Sequence, residues 1–124
     1  MSRELPVIQS NDACCREVRE PAMLSEIDRD RLLAMFKALA DGTRLDVFRL
    51  IAAQAEPICA CDVVDRFDVS QPTIAHHLKV LRQAGLITST KRGIWAYYAV
   101  DPEGRHELAQ VMTTLGMERE LVLR

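Results

Sequence analysis

The sequence predicts a mainly α-helical domain of about five helices with one small β-hairpin, and three observations carry that expectation. Apolar residues recur at three- and four-residue spacing in Ile27–Ala40, Leu45–Ile51 and Ile74–Leu81, the period of helices with a buried face. Two β-prone runs, Leu86–Thr90 and Ile94–Val100, flank the basic, glycine-containing Lys91-Arg92-Gly93, which is the pattern of a hairpin. With 124 residues and 48% hydrophobic content, the chain has material for one core and hardly for two.

Residues 1–23 are polar, carry Pro6 and Pro21 and show no sustained period, so an N-terminal arm bearing Cys14 and Cys15 is expected, followed by one domain over 24–124. In the first helix Ile27, Leu32, Leu33, Phe36, Leu39 and Ala40 should face the core. Asp41-Gly42-Thr43 interrupts the pattern, and Asp41 is a good N-cap for a second helix buried through Leu45, Val47, Phe48, Leu50 and Ile51. Beyond Pro57 a short third helix is expected from Cys59 to Arg66, with Val63, Val64 and Phe67 turned inward. Asp68-Val69-Ser70 is the turn that follows.

Ser70 caps a fourth helix, Gln71 and Pro72 suit its first turn, and Gly85 suits the left-handed position past its end. Ile74, Leu78 and Leu81 form its inward stripe, leaving Gln71, Thr73, His76 and Lys79 outward. After the hairpin, Pro102 to about Leu123 carries Leu108, Val111, Met112, Leu115 and Met117, the stripe of a last amphipathic helix.

Two short helices joined by a tight turn and followed by a basic-tipped hairpin make a winged helix-turn-helix. The formal net charge of −2 argues against nucleic acid only on average. From Arg66 to Arg92 the charged residues are Arg66, Lys79, Arg82, Lys91 and Arg92 against the single acid Asp68, so one basic, DNA-facing surface is expected. Its candidate contacts are Ser70, Gln71, Thr73, His76, His77 and Lys79 on the helix, with Lys91 and Arg92 in the wing. Adjacent helix positions diverge, so one of His76 and His77 should face DNA and the other pack inside. Alternation puts Trp95 and Tyr97 on one face of the second wing strand and Tyr98 on the other.

No apolar run approaches the roughly 18 residues of a membrane span, and Met1–Pro6 lacks the apolar stretch of a secretory signal. A cytoplasmic location without membrane partners is expected. An enzyme is not expected: the sequence has no Cys-x-x-Cys, no phosphate-cradling glycine loop and no nucleophile with an evident base.

Four segments together resemble the ArsR/SmtB family of metal-responsive repressors: Phe36–Leu45, Ile58-Cys59-Ala60-Cys61-Asp62, Ser70–Lys79, and the wing from Arg92-Gly93 to Tyr97-Tyr98. The resemblance covers about Leu32 to Val100. It implies a homodimer joined by its first and last helices, bound to an inverted repeat in double-stranded DNA and released when metal binds. The chain departs from the family pattern at Gly42, where many members have proline, and at Ala75, where many have a serine whose hydroxyl is one possible DNA hydrogen-bonding group. Asp101, His106 and Glu107 fall where some members build a second metal site, but no further histidine completes that set here.

Cys59-Ala60-Cys61 stands where members sensing arsenic, cadmium or lead carry Cys-x-Cys. Thiolate sulfur selects such thiophilic ions, and a helix N-terminus favours the thiolate. Cys14-Cys15 has no apolar stripe to bury it. A trivalent arsenic atom takes about three sulfurs, so the expected effector is As(III), clamped by Cys14 and Cys15 with Cys59 or Cys61, the arm and the Cys-x-Cys coming from different protomers. The alternatives are a Cd(II) or Pb(II) sensor of the same fold, a thiol redox regulator forming disulfides through the same cysteines, and a winged helix used only for protein contacts.

Overall fold

In the computed structural model, which describes residues 16–117, every helix but the short third one begins where a short polar side chain takes up free backbone N–H groups. Ser25 Oγ accepts from the Asp28 amide at 3.1 Å and opens α1 (Glu26–Leu39). Asp41 accepts from the Arg44 amide at 2.9 Å and opens α2 (Gly42–Ala52). After β1 (Ile58–Cys59) and α3 (Ala60–Asp65), Ser70 caps α4 (Gln71–Gln83). The strands β2 (Ile87–Arg92) and β3 (Trp95–Val100) follow, and Asp101 accepts from the Glu103 amide at 2.9 Å to open α5 (Pro102–Thr114). The winged helix-turn-helix expected from the sequence is present: α3 and α4 are its two helices and β2–β3 its wing.

Four details of the elements, besides the burial of single residues in α2, differ from the sequence expectation. First, the sheet has three strands in the antiparallel order β1-β3-β2, because Ile58 and Cys59 pair with Tyr98 and Tyr97. Cys59 therefore ends a strand, and α3 starts one residue later, at Ala60. Second, the wing turn is Gly93-Ile94, with Arg92 opposite Trp95, so Lys91 and Arg92 belong to β2 and Ile94 lies outside β3. Gly93 has φ +64 and no other residue type among the described residues has positive φ, the pattern of a type II′ turn, which only glycine enters without strain.

Third, the buried residues of α1 are Met35 and Ala38, with Leu32 and Leu39 half-buried, whereas Ile27 (72%), Leu33 and Phe36 are exposed. The helix is apolar on several sides, and α2 and α4 cover only one of them. Fourth, α5 stops at Thr114 rather than near Leu123, because Gly116 takes φ +74 and Met117 N–H donates back to Met112 O at 3.0 Å. Gly85 (φ +79) ends α4 the same way, with Leu86 N–H donating to Leu81 O at 3.1 Å, and this cap stands where the sequence placed it.

The core joins Met35 and Ala38 to Val47 and Ile51 of α2, Val63 of α3, Ile74, Leu78 and Leu81 of α4, and Leu86 and Ile87 at the root of the wing. Leu45, expected inside, is 40% exposed. α5 docks by backbone contact: its Gly104 is buried, and a Cβ there would stand 2.0 Å from Gly85 O. Asp101 N–H donates to Leu86 O at 3.0 Å, and Arg31 of α1 pairs with Glu107.

Candidate nucleic-acid interface and thiol site

Burying Ile74, Leu78 and Leu81 forces the opposite face of α4 outward, so Gln71, Thr73, Ala75, His76 and Lys79 are all exposed. Ser70 is exposed as well, but its hydroxyl is engaged, accepting from the Thr73 amide at 3.3 Å and lying 2.8 Å from Thr73 Oγ1. His77 does not belong to this face. It is 8% exposed, one position round the helix from His76, and its ring meets Arg44 of α2, so His77 is not a direct contact for anything outside the chain.

Lys91 and Arg92 are exposed on β2. The Arg92 guanidinium lies 4.6 Å from the centroid of the Tyr97 ring, close enough for a cation–π attraction that holds its charge over the wing face. Ile94 is 87% exposed at the wing tip and Trp95 51%, while Tyr98 packs against the core. The sequence grouped Trp95 and Tyr97 on one face correctly, but the exposure of Ile94 and Trp95 depended on the turn position. Arg66 at the end of α3 and Arg82 in the last turn of α4 are also exposed.

Cys59 is buried and Cys61 exposed. Strand geometry at Cys59 and the first turn of α3 bring the two sulfurs together, with Cys61 Sγ donating to Cys59 Sγ at 2.6 Å. That contact, then desolvation, then the negative charges of Cys59 and Asp62, push the Cys61 thiol above its ordinary value against the opposing Asp62 amide. The expected lowering by a helix N-terminus is thus outweighed, since α3 is six residues long and carries an acid in its first turn. Among the described residues no three histidine, cysteine or acidic side chains converge as a metal site. Two sulfurs fit part of a three-sulfur set, and Cys14 and Cys15 lie outside the described residues. Of the acids near the last helix, Asp101 is occupied as a cap and Glu107 pairs with Arg31. No helix among the described residues is long and apolar enough to cross a membrane.

A helix-turn-helix domain family matches residues 39–90, from the end of α1 into β2. The chain is 33% identical over 86 residues to the uncharacterized HTH-type transcriptional regulator MJ1325 of Methanocaldococcus jannaschii, covering 69% of this chain and 96% of that one. It is 39% identical over 80 residues to the arsenic resistance transcriptional regulator ArsR2 of Pseudomonas putida, covering 62% and 69%. Three further arsenic-resistance regulators match at 40–42% identity, but over 53–64% of their own length. Among solved structures, an ArsR-like transcriptional regulator from Rhodococcus sp. RHA1 superposes with TM-score 0.62 at 27% identity, covering 77% of this chain and 88% of that one.

Proposed function

The chain belongs to the ArsR family of helix-turn-helix transcriptional regulators, not to an enzyme family, and from that premise we propose that it is a homodimeric, arsenic-released repressor. In this reading Gln71, Thr73, His76 and Lys79 enter a major groove while Lys91 and Arg92 hold the flanking backbone. The exposed apolar residues of α1 and the end of α5, Ile27, Leu33, Phe36 and Leu115 among them, are where a second protomer would sit.

The observation that carries the effector is the sulfur pair of Cys59 and Cys61, 2.6 Å apart on the segment that opens the helix just before α4. Arsenous acid condenses with thiols, each As–S bond replacing one As–OH and releasing one water, so three cysteines complete the arsenic and free three waters. Two of the sulfurs are assigned to Cys14 and Cys15 of one protomer and one to Cys59 or Cys61 of the other. Tying the arm to α3 in this way favours a dimer whose two α4 faces no longer match the operator, and DNA dissociates because the ion prefers that state. The relatives named as arsenic-resistance regulators support this choice of ion.

The test uses a duplex selected from a random-sequence pool by the wild-type protein. Under anaerobic conditions, arsenite should release this duplex from the wild type but not from the Cys14→Ser, Cys15→Ser double variant, and sulfur-to-arsenic absorption should accompany release. Release that survives the double substitution would overturn the clamp. Release that occurs only on oxidation, without that absorption, would favour disulfide formation between the close Cys59 and Cys61 sulfurs.

A further inference from the structure

Among the inward residues of α4, His77 is the polar one, and the proposed function leaves it without a task. Its Nδ1 lies 3.3 Å from an Arg44 guanidinium nitrogen. Arginine has donors only, so Nδ1 is the acceptor and the ring proton sits on Nε2. The same guanidinium donates through Nε to Ala38 O at 2.5 Å and through a terminal nitrogen to Lys37 O at 3.5 Å. Those carbonyls close the last turns of α1, where a cation also meets the negative end of the helix dipole. Arg44 is in turn anchored by its own amide, which Asp41 accepts at 2.9 Å.

One side chain therefore joins three helices: α2, which carries it, the C-terminal end of α1, and the middle of α4. The charged and titratable groups facing His77 are this guanidinium, the Asp41 carboxylate that caps α2 beside it, and His76, its ring centroid 6.1 Å away. A leucine would fill the site as well as Leu78 and Leu81 fill theirs, but it would leave the Arg44 donor unpaired and would tolerate several helix orientations. A satisfied polar contact tolerates one.

We propose that Arg44 and His77 are positioning residues for DNA recognition: their hydrogen bond sets the angle at which α4 leaves α1, and so where the Gln71, His76 and Lys79 face points. The proposal rests on the reading of α4 as the DNA-reading helix. In a dimer joined through α1, the same contact sets the separation of the two reading faces.

The experiment compares full-length variants on the selected duplex and on a mixed-sequence duplex at one salt concentration, with urea midpoints measured alongside. His77→Phe keeps the ring volume without an acceptor, Arg44→Lys keeps the charge without the planar fork, and His77→Asn keeps an acceptor near Nδ1. The first two should weaken binding to the selected duplex by about tenfold, the size expected when a charge-assisted hydrogen bond is lost, with mixed-sequence binding little changed. His77→Asn should restore selective binding, and combining Arg44→Lys with His77→Phe should cost no more than the worse single change.

Folded variants that bind the selected duplex like wild type would overturn the proposal, as would equal losses on both duplexes. If His77→Phe fails to fold, nitrogen NMR of the wild-type imidazole decides: a proton on Nε2 is expected, and one on Nδ1 would overturn the contact. Lys79→Glu should weaken both duplexes. If it weakens neither, the reading of α4 has failed and the proposal with it, whereas a Lys79 effect beside silent Arg44 and His77 variants defeats the proposal alone.

Discussion

As the ligand from the Cys-x-Cys segment, Cys61 would bring its own pH response to the proposed effector site. Its thiol is held above the ordinary range by the Cys59 sulfur and by Asp62, so it is protonated at neutral pH. Binding arsenous acid then exchanges hydroxyl for thiol with water as the product and no net proton, whereas each thiolate bond to Cd(II) expels one proton. A bond to Cys61 should therefore add no pH dependence to arsenite affinity between about pH 6 and pH 8, while a bond from Cys61 to Cd(II) should add a rise of about tenfold per pH unit. Isothermal titration in buffers of different ionisation heat measures the difference, and a steep arsenite profile would refute this proton balance. Asp41 acts on stability instead. Its carboxyl is held below the usual range chiefly by the Arg44 amide, so its contribution is present above the unfolded-state value and disappears as pH falls through the lowered one. Asp41→Ala should therefore reduce the urea midpoint at pH 7, and the gap to wild type should close in acid. A gap constant down to pH 2 would exclude the cap as its source.

At the scale of elements, the joint between α5 and the end of α4 is made by absent side chains. A methyl group on Gly104 would stand 2.0 Å from Gly85 O, and backbone cannot swing away as a side chain can. Gly104→Ala should cost about 1–3 kcal/mol, the range for an overfilled core, and urea unfolding that matched wild type would show that α5 is free to shift. This joint was invisible in the sequence, as were β1 and the Arg44 contact with His77, because each depends on segments far apart in the chain. What could be read was local: the Ser70 and Asp41 caps, Pro72 in a first turn, Gly85 past a helix end, and the outward Gln71, Thr73, His76 and Lys79. Where a local pattern was ambiguous it misled. The apolar residues of α1 occupy several faces, and spacing alone could not say that Met35 rather than Phe36 is enclosed. That one of His76 and His77 packs inside was legible, but both stayed on the list of DNA contacts because nothing nearby in sequence announces Arg44 as the partner of His77.

For the whole molecule, a lone protomer leaves apolar surface on α1 and the end of α5 uncovered. Ile27 is 72% exposed and Leu115 57%. If a second copy covers them, Ile27→Glu with Leu115→Glu places four charges in the dimer and should raise its dissociation constant by more than about tenfold, as read by sedimentation equilibrium. Unchanged association would move the interface elsewhere. DNA binding should weaken in parallel, because a lone winged helix reads half a site.

The two rungs that join Cys59 and Ile58 to Tyr97 and Tyr98 give the thiol segment a mechanical advantage. From the Cys59 rung the chain runs back along β3 through Tyr97, Ala96 and Trp95 to Ile94 in the wing turn, roughly 10 Å at strand rise. A tilt of about 5° imposed at the pivot would sweep Ile94 sideways by about 1 Å over that arm. Displacement of that order is enough to break a hydrogen bond to a phosphate, so a movement of one cysteine too small to disturb the core would still be felt at the far end of the wing.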